Sequence, residues 1–470
     1  MKVNKPTVGP IIGYTTDSQS RLFLRGALEI EHAAIRRCFG VVQWRKPGGK
    51  WASPIFCKLS PNFDMTGVLV ITGLRPSTTY EYQAGWFFAD AELEQIEKLG
   101  NSMLDWREHE QNGLTFTTST TNSTPARNYI VGSCRYLLRI LGGAWFDDRG
   151  DKLFRSILDQ IKAQQPVDAL LMIGDQIYAD DLNFVAPDTR LEQFLERYRS
   201  AFSQPYIKSL MSQVPTYMIL DDHEIEDNWP ASATEKDFIT LYPQAIHAYQ
   251  IYQCSHSPLF SLDNNNKIYG TPTRFWYTFK DGNSEWFVMD CRNERNLKPN
   301  QLRIVSEYQL EELLKWLNDG SGLVKFVVSS VPVFPDLNSD ASDKWGAYPQ
   351  QRLQILEHIR TNGIKRVVFV SGDVHCSFAC ELKLAGDQNF LAHSIVSSSF
   401  FWPYPHMHKG DFIFDRPLLG GGAGKYMATL KSDIHSDDNF TRLSVTLSTV
   451  EVSFFDRKGA ALEKVIKLQL

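Results

Sequence analysis

The stretch "ALLMIGDQIYAD", residues 169–180, joins a continuous apolar run to a dense group of polar residues. The apolar run is typical of a strand that is buried on both faces of a sheet. A plain turn after such a strand needs the glycine and one aspartate, but it has no use for a second aspartate and a tyrosine. By itself, Asp175 is explained equally well as the N-cap of a helix. The interpretation of Asp175, Tyr178 and Asp180 therefore depends on the rest of the chain.

Other apolar runs in the second part of the chain also end in polar residues. These groups lie at 132–135, 221–224, 290–292 and 371–375. Because ligands bind outside the carboxyl ends of the strands in open α/β sheets, the polar side chains are expected to meet in one crevice. Carboxylates gathered there would repel one another, and a bound cation would relieve that repulsion. The candidate metal ligands are Cys134, Asp175, Tyr178, Asp222, His223, Asp373 and His375.

The mixture of residue types predicts two unlike ions that share a carboxylate. A phenolate is a hard anionic donor that suits Fe(III), whereas aspartates and waters suit calcium, magnesium or manganese, and imidazole or thiolate accepts iron or zinc. Two ions about 3.5 to 4 Å apart are the usual device for in-line displacement at phosphorus. Taken singly, each residue also has an ordinary structural explanation, such as a buried thiol for Cys134. Their repeated placement at strand ends favours a site.

The chain divides into two regions that differ in their predicted secondary structure. Residues 1–125 contain β-branched and aromatic strands with polar, glycine and proline breaks, interrupted by a helical, charged insertion at 89–113. A polar stretch at 117–127 is the best linker. Residues 126–470 alternate strands with helices, as in a layered α/β domain. The sequence therefore predicts an all-β sandwich of the fibronectin or immunoglobulin type followed by an α/β domain.

Composition argues against several classes of protein. The net charge of −5 and the pI near 6.1 do not suit a broad nucleic-acid-binding surface, which makes a domain strongly basic. The seven cysteines form no C-x-x-C pair, so a zinc ribbon or a thioredoxin site is not expected. No apolar stretch approaches the roughly 20 residues of a membrane helix, and the N-terminus lacks the apolar core of a signal peptide. A cytoplasmic location is the expectation.

Six motifs occur in the order found in the alkaline phosphatase D (PhoD-like) metallophosphoesterase family. They are "GSC" (132–134), "GDQIYAD" (174–180), "DDHEIEDN" (221–228), "MDCRNER" (289–295), "DKWGAYPQQR" (343–352) and "SGDVHCS" (371–377). The resemblance covers residues 128–400, and the β-rich region before it resembles the sandwich that usually precedes this domain. It implies a calcineurin-like metallophosphoesterase fold, a layered α/β/β/α sandwich, over residues 126–470, after an N-terminal domain at 1–125.

The resemblance also implies which residues hold the first ion. Asp175 looks like the carboxylate that bridges the two metals. Cys134, Tyr178 and His375 would surround Fe(III), in agreement with the hard phenolate donor that this residue set contains. Fe(III) is therefore the expected ion at this position.

The second ion and the substrate are assigned by the same resemblance. Asp222 and Asp373 would hold an ion that is calcium by family analogy, with zinc, manganese or magnesium as alternatives. His223 corresponds to the histidine beside the metals, a general acid or a stabiliser of the transition state. Arg135 and Arg292 are candidates for a phosphate clamp, because guanidinium matches phosphate oxygens in fork geometry.

The function implied is that of a metal-dependent phosphoric ester hydrolase, an alkaline phosphatase or phosphodiesterase whose nucleophile is a metal-activated hydroxide. The substrate would be a phosphate ester, either a small molecule or of phospholipid type. Two alternatives remain: a metal-dependent hydrolase of a non-phosphate bond, and a catalytically inactive, metal-stabilised β-sandwich binding protein. No motif residue is missing, which disfavours the inactive relative, and the two arginines favour an anionic substrate.

Two features depart from the family pattern. Many members carry a twin-arginine export signal, which this N-terminal sequence does not contain, so the cytoplasmic expectation is kept. Residues 404–440 match no family motif, and substrate selectivity is expected there or in the insertion at 89–113. His406 and His408 lie in this unmatched region and are interpreted as surface residues. The preference for monoesters or diesters and the oligomeric state do not follow from the sequence.

Overall fold

The N-terminal region consists of strands in two antiparallel sheets, as the sequence predicts. The computed structural model describes residues 1–28, 37–98, 103–107, 113–137, 149–180, 187–338, 341–420 and 425–470. The strands of this region are β1 (Val8–Thr15), β2 (Gln19–Arg25), β3 (Arg37–Arg45), β4 (Ile55–Leu59), β5 (Thr66–Thr72), β6 (Thr79–Ala89) and β7 (Leu114–Thr117). One sheet has the order β1-β2-β5 and the other β4-β3-β6-β7. Leu22, Val42 and Leu69 from both sheets share one buried core.

The predicted helical insertion lies partly outside the described residues. One helical turn, α1 (Leu93–Ile96), follows β6, and Ile96 is buried in a cluster with Val41 and Phe87. Residues 99–102 and 108–112 lie outside the described part of the chain. The polar linker falls between the end of β7 and the start of the next strand at Arg127. The domain boundary at residue 125 stays a prediction.

The second region contains two larger mixed sheets. Its strands are β8 (Arg127–Gly132), β9 (Ala169–Met172), β10 (Thr216–Met218), β11 (Ser261–Leu262), β12 (Ile268–Tyr269), β13 (Tyr277–Asp281), β14 (Ser284–Val288), β15 (Val324–Ser329), β16 (Asp336–Leu337), β17 (Val367–Ser371), β18 (Phe378–Leu384), β19 (Asp387–Val396), β20 (Phe412–Ile413), β21 (Tyr426–Leu430), β22 (Asn439–Val445), β23 (Thr449–Asp456) and β24 (Ile466–Gln469). The sheets have the orders β10-β9-β8-β22-β23-β24 and β13-β14-β15-β17-β19-β18-β21. Parallel pairing of β8, β9 and β10, and of β14, β15, β17 and β19, brings their carboxyl ends to common edges.

Helices cover the outer faces of these sheets. They are α2 (Arg149–Lys162), α3 (Leu191–Phe202), α4 (Pro205–Met211), α5 (Glu235–Thr240), α6 (Tyr242–Tyr249), α7 (Glu307–Leu317) and α8 (Pro349–Thr361). The inner faces of the sheets pack together through residues such as Leu171 and Trp286. Helices α2, α3, α4 and α6 share a core with the first sheet, and α7 and α8 share one with the second. This is the predicted α/β/β/α arrangement.

Helix α2 illustrates how the sequence produces this layer. Leu153, Phe154 and Ile157 recur at helical spacing, and all three are fully buried in one core with Ile130 and Leu170 of the first sheet. Burial of each such side chain stabilises the fold by about 1.5 to 3 kcal/mol. Within the described ranges, no helix is both long enough and apolar enough to span a bilayer.

Candidate metal centre

Tight turns at the ends of β8, β9 and β17 carry the predicted ligands. Four of these ligands have φ angles in the left-handed region: Cys134 (+55°), Asp175 (+54°), Asp373 (+70°) and His375 (+49°). Residues other than glycine rarely adopt this conformation, and it is concentrated at functional sites. Gly174 has a φ of +112°, and a Cβ at this position would lie 2.7 Å from the Cβ of Asp221. A glycine is therefore required for the turn after β9 to lie against the turn after β10.

Cys134 and Tyr178 contact the same oxygen atom of Asp175. Cys134 Sγ and Tyr178 Oη each lie 3.4 Å from Asp175 Oδ2. All three side chains are buried, and burial raises the pKa of each well above its ordinary value. Residues 176–180 are not helical, so the structure does not support the N-cap explanation of Asp175. We call Cys134, Asp175 and Tyr178 the Asp175 group. A cation at this position would stabilise the ionised form of all three side chains.

Asp221, Asp222 and Asp373 form a neighbouring set of carboxylates, the Asp373 group. In two sets of residues, one ligand atom from each member lies within 4.8 Å of the others: Asp175, Asp222 and His223 in one, and Asp221, Asp222 and Asp373 in the other. Asp222 belongs to both sets. It is therefore a second candidate, in addition to Asp175, for a carboxylate that bridges two metal ions. Asp221 is a potential ligand that the sequence analysis did not select.

His223 lies against Asp180 at the edge of these carboxylates. Its Nδ1 is 2.9 Å from Asp180 Oδ2, and its ring centroid is 4.3 Å from that of Tyr178. Burial lowers the pKa of His223, but the surrounding carboxylates, with Asp222 the strongest, outweigh burial and raise that pKa well above its ordinary value. The imidazolium is therefore the favoured form in this setting, and it suits a group that donates a proton.

His375 presents a neutral imidazole. Burial lowers its pKa well below the ordinary value, and His223 adds to this effect. Its ring stacks on Trp402 with a centroid distance of 3.7 Å, and its Nε2 has no hydrogen-bond partner among the described residues. His406 is partly buried, not at the surface as predicted. Its Nδ1 lies 2.7 Å from the carbonyl oxygen of His375, so His406 supports the loop that carries His375. His408 is exposed, as predicted.

Arg292 is brought to the carboxylates, where its Nε and Nη1 form hydrogen bonds while its buried Nη2 has no hydrogen-bond partner among the described residues. Its Nε donates to Asp221 Oδ1 at 2.5 Å, and its Nη1 donates to Asp343 Oδ1 at 2.7 Å. Its Nη2 lies 3.4 Å from Asp222 Oδ1 and 3.6 Å from Asp373 Oδ1. The side chain has no exposed surface. Arg292 therefore neutralises and orients carboxylates instead of presenting an open fork to solvent.

The structure does not bring the guanidinium of Arg135 to the cluster. Its Nη2 donates to the carbonyl oxygen of Ala201, and its Cζ lies 5.5 Å from the centre of the Phe154 ring. Burial lowers the pKa of this guanidinium to about 10. The Arg135 side chain therefore lies in the helical layer, and its backbone N–H reaches the site by donating to the carbonyl oxygen of Asp175.

Glu224 is a site residue that the sequence analysis missed. Its Oε2 accepts hydrogen bonds from the N–H groups of Asp175 (3.2 Å) and Asp221 (2.9 Å). Its Oε1 accepts from the N–H of Gln176 (2.6 Å) and the side chain of Gln253 (3.0 Å). Burial raises the pKa of Glu224 to about 7. This single carboxylate joins the turn after β9 to the turn after β10, a connection that only the tertiary structure reveals.

Lys344 was also missed, although it lies in the fifth motif. Its Nζ is 2.5 Å from Asp373 Oδ2 and 3.0 Å from Asp343 Oδ2, and the side chain is 5% exposed. Asp343 also binds Arg292 and Arg295, so three cationic side chains meet at this one carboxylate. Burial raises the pKa of Asp373 to about 7 in opposition to Lys344, which lowers it. The motif at 343–352 can be recognised in the sequence, but the ion pair between Lys344 and Asp373 cannot.

The cluster has the chemistry of a metal centre. Asp175 Oδ1, Asp221 Oδ2 and His375 Nε2 are buried atoms without a hydrogen-bond partner in the part of the chain that the structure describes. Buried polar atoms are normally satisfied, so unsatisfied carboxylate oxygens in both groups indicate that cations belong there, whereas His375 is in neither of the two sets. Carboxylate oxygens predominate, and a thiol and a phenol lie beside Asp175. This donor set fits the mixed-metal prediction.

Comparison with known proteins gives one family. The family model for PhoD-like phosphatases matches residues 143–412. Alkaline phosphatase D of Bacillus subtilis (strain 168) is 26% identical over 262 residues, which are 47% of this chain and 43% of that protein. The match therefore spans less than half of that relative.

Two solved structures share the fold. The structure of PhoD superposes with a TM-score of 0.72 at 16% identity and covers 99% of this chain and 91% of its own. A purple acid phosphatase from yellow lupin (Lupinus luteus) seeds has a TM-score of 0.61 at 13% identity and covers 99% of this chain and 74% of its own.

The layered sheets, with ligand groups at the carboxyl ends of parallel strands, place the chain in the calcineurin-like metallophosphoesterase fold class. The family model matches more than half of the residues. The chain belongs to the PhoD-like phosphatase family. The fold and the family that the six motifs predicted are both confirmed.

Proposed function

We propose that this chain is a metal-dependent phosphoric ester hydrolase that acts on phosphate monoesters or diesters. The observation that carries this proposal is the convergence of two sets of possible ligands, Asp175, Asp222 and His223 in one and Asp221, Asp222 and Asp373 in the other, where parallel strands end. Family membership supports a phosphate ester as substrate. When bound, two metal ions would supply an activated water, polarise the phosphoryl group and stabilise the leaving oxygen.

We assign the metal ligands as follows. Cys134, Asp175, Tyr178 and His375 are proposed to hold Fe(III), since thiol, phenol and carboxylate already meet at one oxygen of Asp175. The Asp373 group is proposed to hold the second ion through Asp222 and Asp373, with Asp221 as an added candidate ligand. An all-carboxylate set favours a hard divalent ion, and calcium is the proposed ion, with zinc, manganese or magnesium as alternatives.

His223 is proposed as the acid that donates a proton to the leaving oxygen. Its Nδ1 is engaged with Asp180, which leaves Nε2 as the nitrogen that can face a substrate. The second contact of Nε2, to Asp227 Oδ1, is long at 3.8 Å. Asp180 would thus hold the imidazole in one orientation, as carboxylates do for catalytic histidines.

The arginines take different roles in this proposal. Arg292 is proposed to position Asp221 and Asp222 by direct ion pairs. Arg135 is not assigned to substrate binding, because its guanidinium lies against Phe154 and the carbonyl oxygen of Ala201. A phosphate clamp formed by these two arginines is therefore not part of the proposal.

A substrate panel tests the function. Protein loaded with iron and calcium would be assayed with p-nitrophenyl phosphate, bis(p-nitrophenyl) phosphate, nucleotides and phospholipids. We expect hydrolysis of at least one phosphate ester, with loss of that activity in Asp175→Asn and after chelation. p-Nitrophenyl acetate serves as the control for a hydrolase of another bond. If the metal-loaded protein cleaved the acetate and none of the phosphate esters, the proposed function would be wrong.

A further inference from the structure

The carboxylates of the Asp373 group lie beside a buried lysine. Lys344 Nζ is 2.5 Å from Asp373 Oδ2, and the Lys344 side chain is 5% exposed. The same ammonium lies 3.0 Å from Asp343 Oδ2. Two carboxylates therefore hold it at the edge of the proposed second metal position. It contacts one oxygen of a carboxylate that belongs to the proposed second metal position.

Arg292 adds a second fixed positive charge to this group. Its Nη2 lies 3.4 Å from Asp222 Oδ1 and 3.6 Å from Asp373 Oδ1, and its Nε binds Asp221. All three members of the Asp373 group thus have a cationic side chain of the protein as a neighbour. Part of the negative charge that would attract a divalent ion is already neutralised.

The Asp175 group has a different environment. The hydrogen bonds of its side chains run between Cys134, Asp175 and Tyr178 or to the hydroxyl groups of Ser133 and Ser398. No lysine or arginine contacts these three side chains among the described residues. Within the described ranges, a cation bound there meets no lysine or arginine, although one ring nitrogen of His223 lies within 4.8 Å of a carboxylate oxygen of Asp175.

From this difference we propose that Lys344 competes with the second metal ion for Asp373. The second ion is then held more weakly than the first and exchanges with free divalent ions, while the ion of the Asp175 group stays bound. A divalent ion coordinated by Asp373 must displace the ammonium or remain close to it, and like charges repel strongly in a buried site. This inference rests on the proposed assignment of the Asp373 group to the second ion. Lys344 acts as a positioning residue for Asp373.

The test measures ion binding without turnover. Protein that keeps its first ion, freed of divalent ions by dialysis against a calcium chelator, would be titrated with calcium and then with manganese by calorimetry. Lys344→Met removes the charge and keeps an unbranched side chain. We expect its Kd for the divalent ion to fall at least 10-fold below that of the unchanged protein, whereas Lys344→Arg should keep a Kd close to the original.

Lys325→Met is the matched control. Lys325 is also buried, and its Nζ also bridges two carboxylates, Glu285 and Asp319. It lies near the start of β15, at the edge of the sheet opposite to the strand ends that carry the ligands. Loss of this lysine should destabilise the fold to a similar extent in thermal unfolding, but it should leave the Kd for calcium unchanged.

Each remaining outcome decides the inference. An unchanged or weaker Kd in Lys344→Met overturns it, as does the absence of a divalent site in all the proteins. If Lys344→Met does not fold, Lys344→Gln replaces it under the same criterion. If only the affinity for inorganic phosphate falls, Lys344 binds substrate and the inference is wrong. If Lys344→Met binds the divalent ion with a lower Kd but the unchanged protein cleaves no phosphate ester, the role of Lys344 is supported and the proposed function is wrong.

Discussion

The two halves of the cluster differ in their balance of charge. In the Asp175 group, thiol, phenol and carboxylate meet at one oxygen, and Asp175 Oδ1 has no hydrogen-bond partner among the described residues. In the Asp373 group, Arg292 and Lys344 approach the carboxylates directly. Among the described residues, the first half thus has the imidazole of His223 as its cationic neighbour and depends more on a cation from outside, whereas Arg292 and Lys344 partly balance the charge of the second half.

This difference indicates that the two halves have different tasks. A site with uncompensated anionic ligands binds a highly charged ion tightly, and such an ion suits a permanent structural and catalytic role. A site that is already half neutralised exchanges its ion more readily. Substitutions and pH changes that act on one half more than on the other can separate these two tasks.

Asp175→Asn should have the largest effect, because it removes the charge at which Cys134 and Tyr178 meet. We expect the loss of at least one ion and a fall in kcat/KM of roughly 10³-fold. Elemental analysis and kinetics on one preparation measure both quantities. Full metal occupancy with only a modest loss of activity would mean that the two halves do not share this carboxylate.

The metal-free protein should become less stable as the pH rises. Burial raises the pKa of Glu224 and of Asp373 to about 7, and neighbouring carboxylates outweigh burial to raise that of His223. In each case the folded state holds a proton that the unfolded chain releases at lower pH. The stability that these three groups contribute is therefore greatest below the unfolded carboxyl pKa and is lost between about pH 5 and 8, with roughly 3 kcal/mol from Glu224 alone, while His375, whose pKa burial lowers, partly offsets this loss below about pH 7.

Urea unfolding at pH 5 and pH 8, with and without metals, measures this dependence. Bound cations replace the protons, so the metal-loaded protein should show a smaller change over the same range. A metal-free protein that is equally stable or more stable at pH 8 would contradict the buried, proton-binding character of the cluster.

His223→Ala should lower kcat by about 10²-fold or more while both ions stay bound. The reason is that His223 Nδ1 is engaged with Asp180, and the imidazolium is proposed to act on the leaving oxygen. His247→Ala, an exposed histidine on α6, is the control. Loss of a metal in His223→Ala would show instead that His223 is a ligand between the halves.

Glu224→Gln should weaken metal binding in both halves by about 10- to 100-fold. The amide group cannot accept all of the hydrogen bonds that Glu224 receives from Asp175, Gln176 and Asp221, so the two turns lose their common anchor. Metal titration monitored by calorimetry measures the change, and Glu226→Gln, two residues along the chain, is the control. Equal affinities in the two variants would reject this positioning role.

Tyr178→Phe should have the smallest effect on stability, because the ring and its packing against His223 remain. A phenolate bound to Fe(III) gives a visible charge-transfer band, which this variant should lose. Cys134→Ala separates any thiolate band from the phenolate band. A colourless protein that is fully active with calcium or zinc alone would contradict the ferric assignment of the Asp175 group.

Much of the site could be predicted because it lies in short motifs at strand ends. Asp175, Asp222 and Asp373 follow apolar strands; β9 and β10 pair in parallel in the first sheet, and packing of the second sheet against it brings the end of β17 to them. Arg135 was assigned to a phosphate clamp because guanidinium matches phosphate oxygens in fork geometry. Its side chain lies in the helical layer instead, against Phe154, and sequence order alone does not indicate the direction of a side chain in a turn with positive φ.

The residues that sequence reasoning missed act through long-range contacts. Glu224 reaches backbone groups of the turn after β9, which lies 48 and 49 residues earlier in the chain. Lys344 reaches Asp373, and Asp343 joins the same network from the neighbouring position. No sequence pattern predicts which distant group a buried carboxylate or ammonium will contact. The cytoplasmic location and the absence of a broad nucleic-acid-binding surface stay predictions.

The class of fold and the family follow from the amino-acid sequence alone, and so does the choice of most candidate site residues. These conclusions depend on features of the local sequence. They are the apolar runs that predict strands, the turn residues that permit positive φ, and the order of the six motifs along the chain. The division of charge between the Asp175 group and the Asp373 group, in contrast, exists only in the folded chain. Electrostatic interactions depend on distance in space and on burial, and residues such as Lys344 and Asp373, far apart in the chain, meet only after the sheets have assembled.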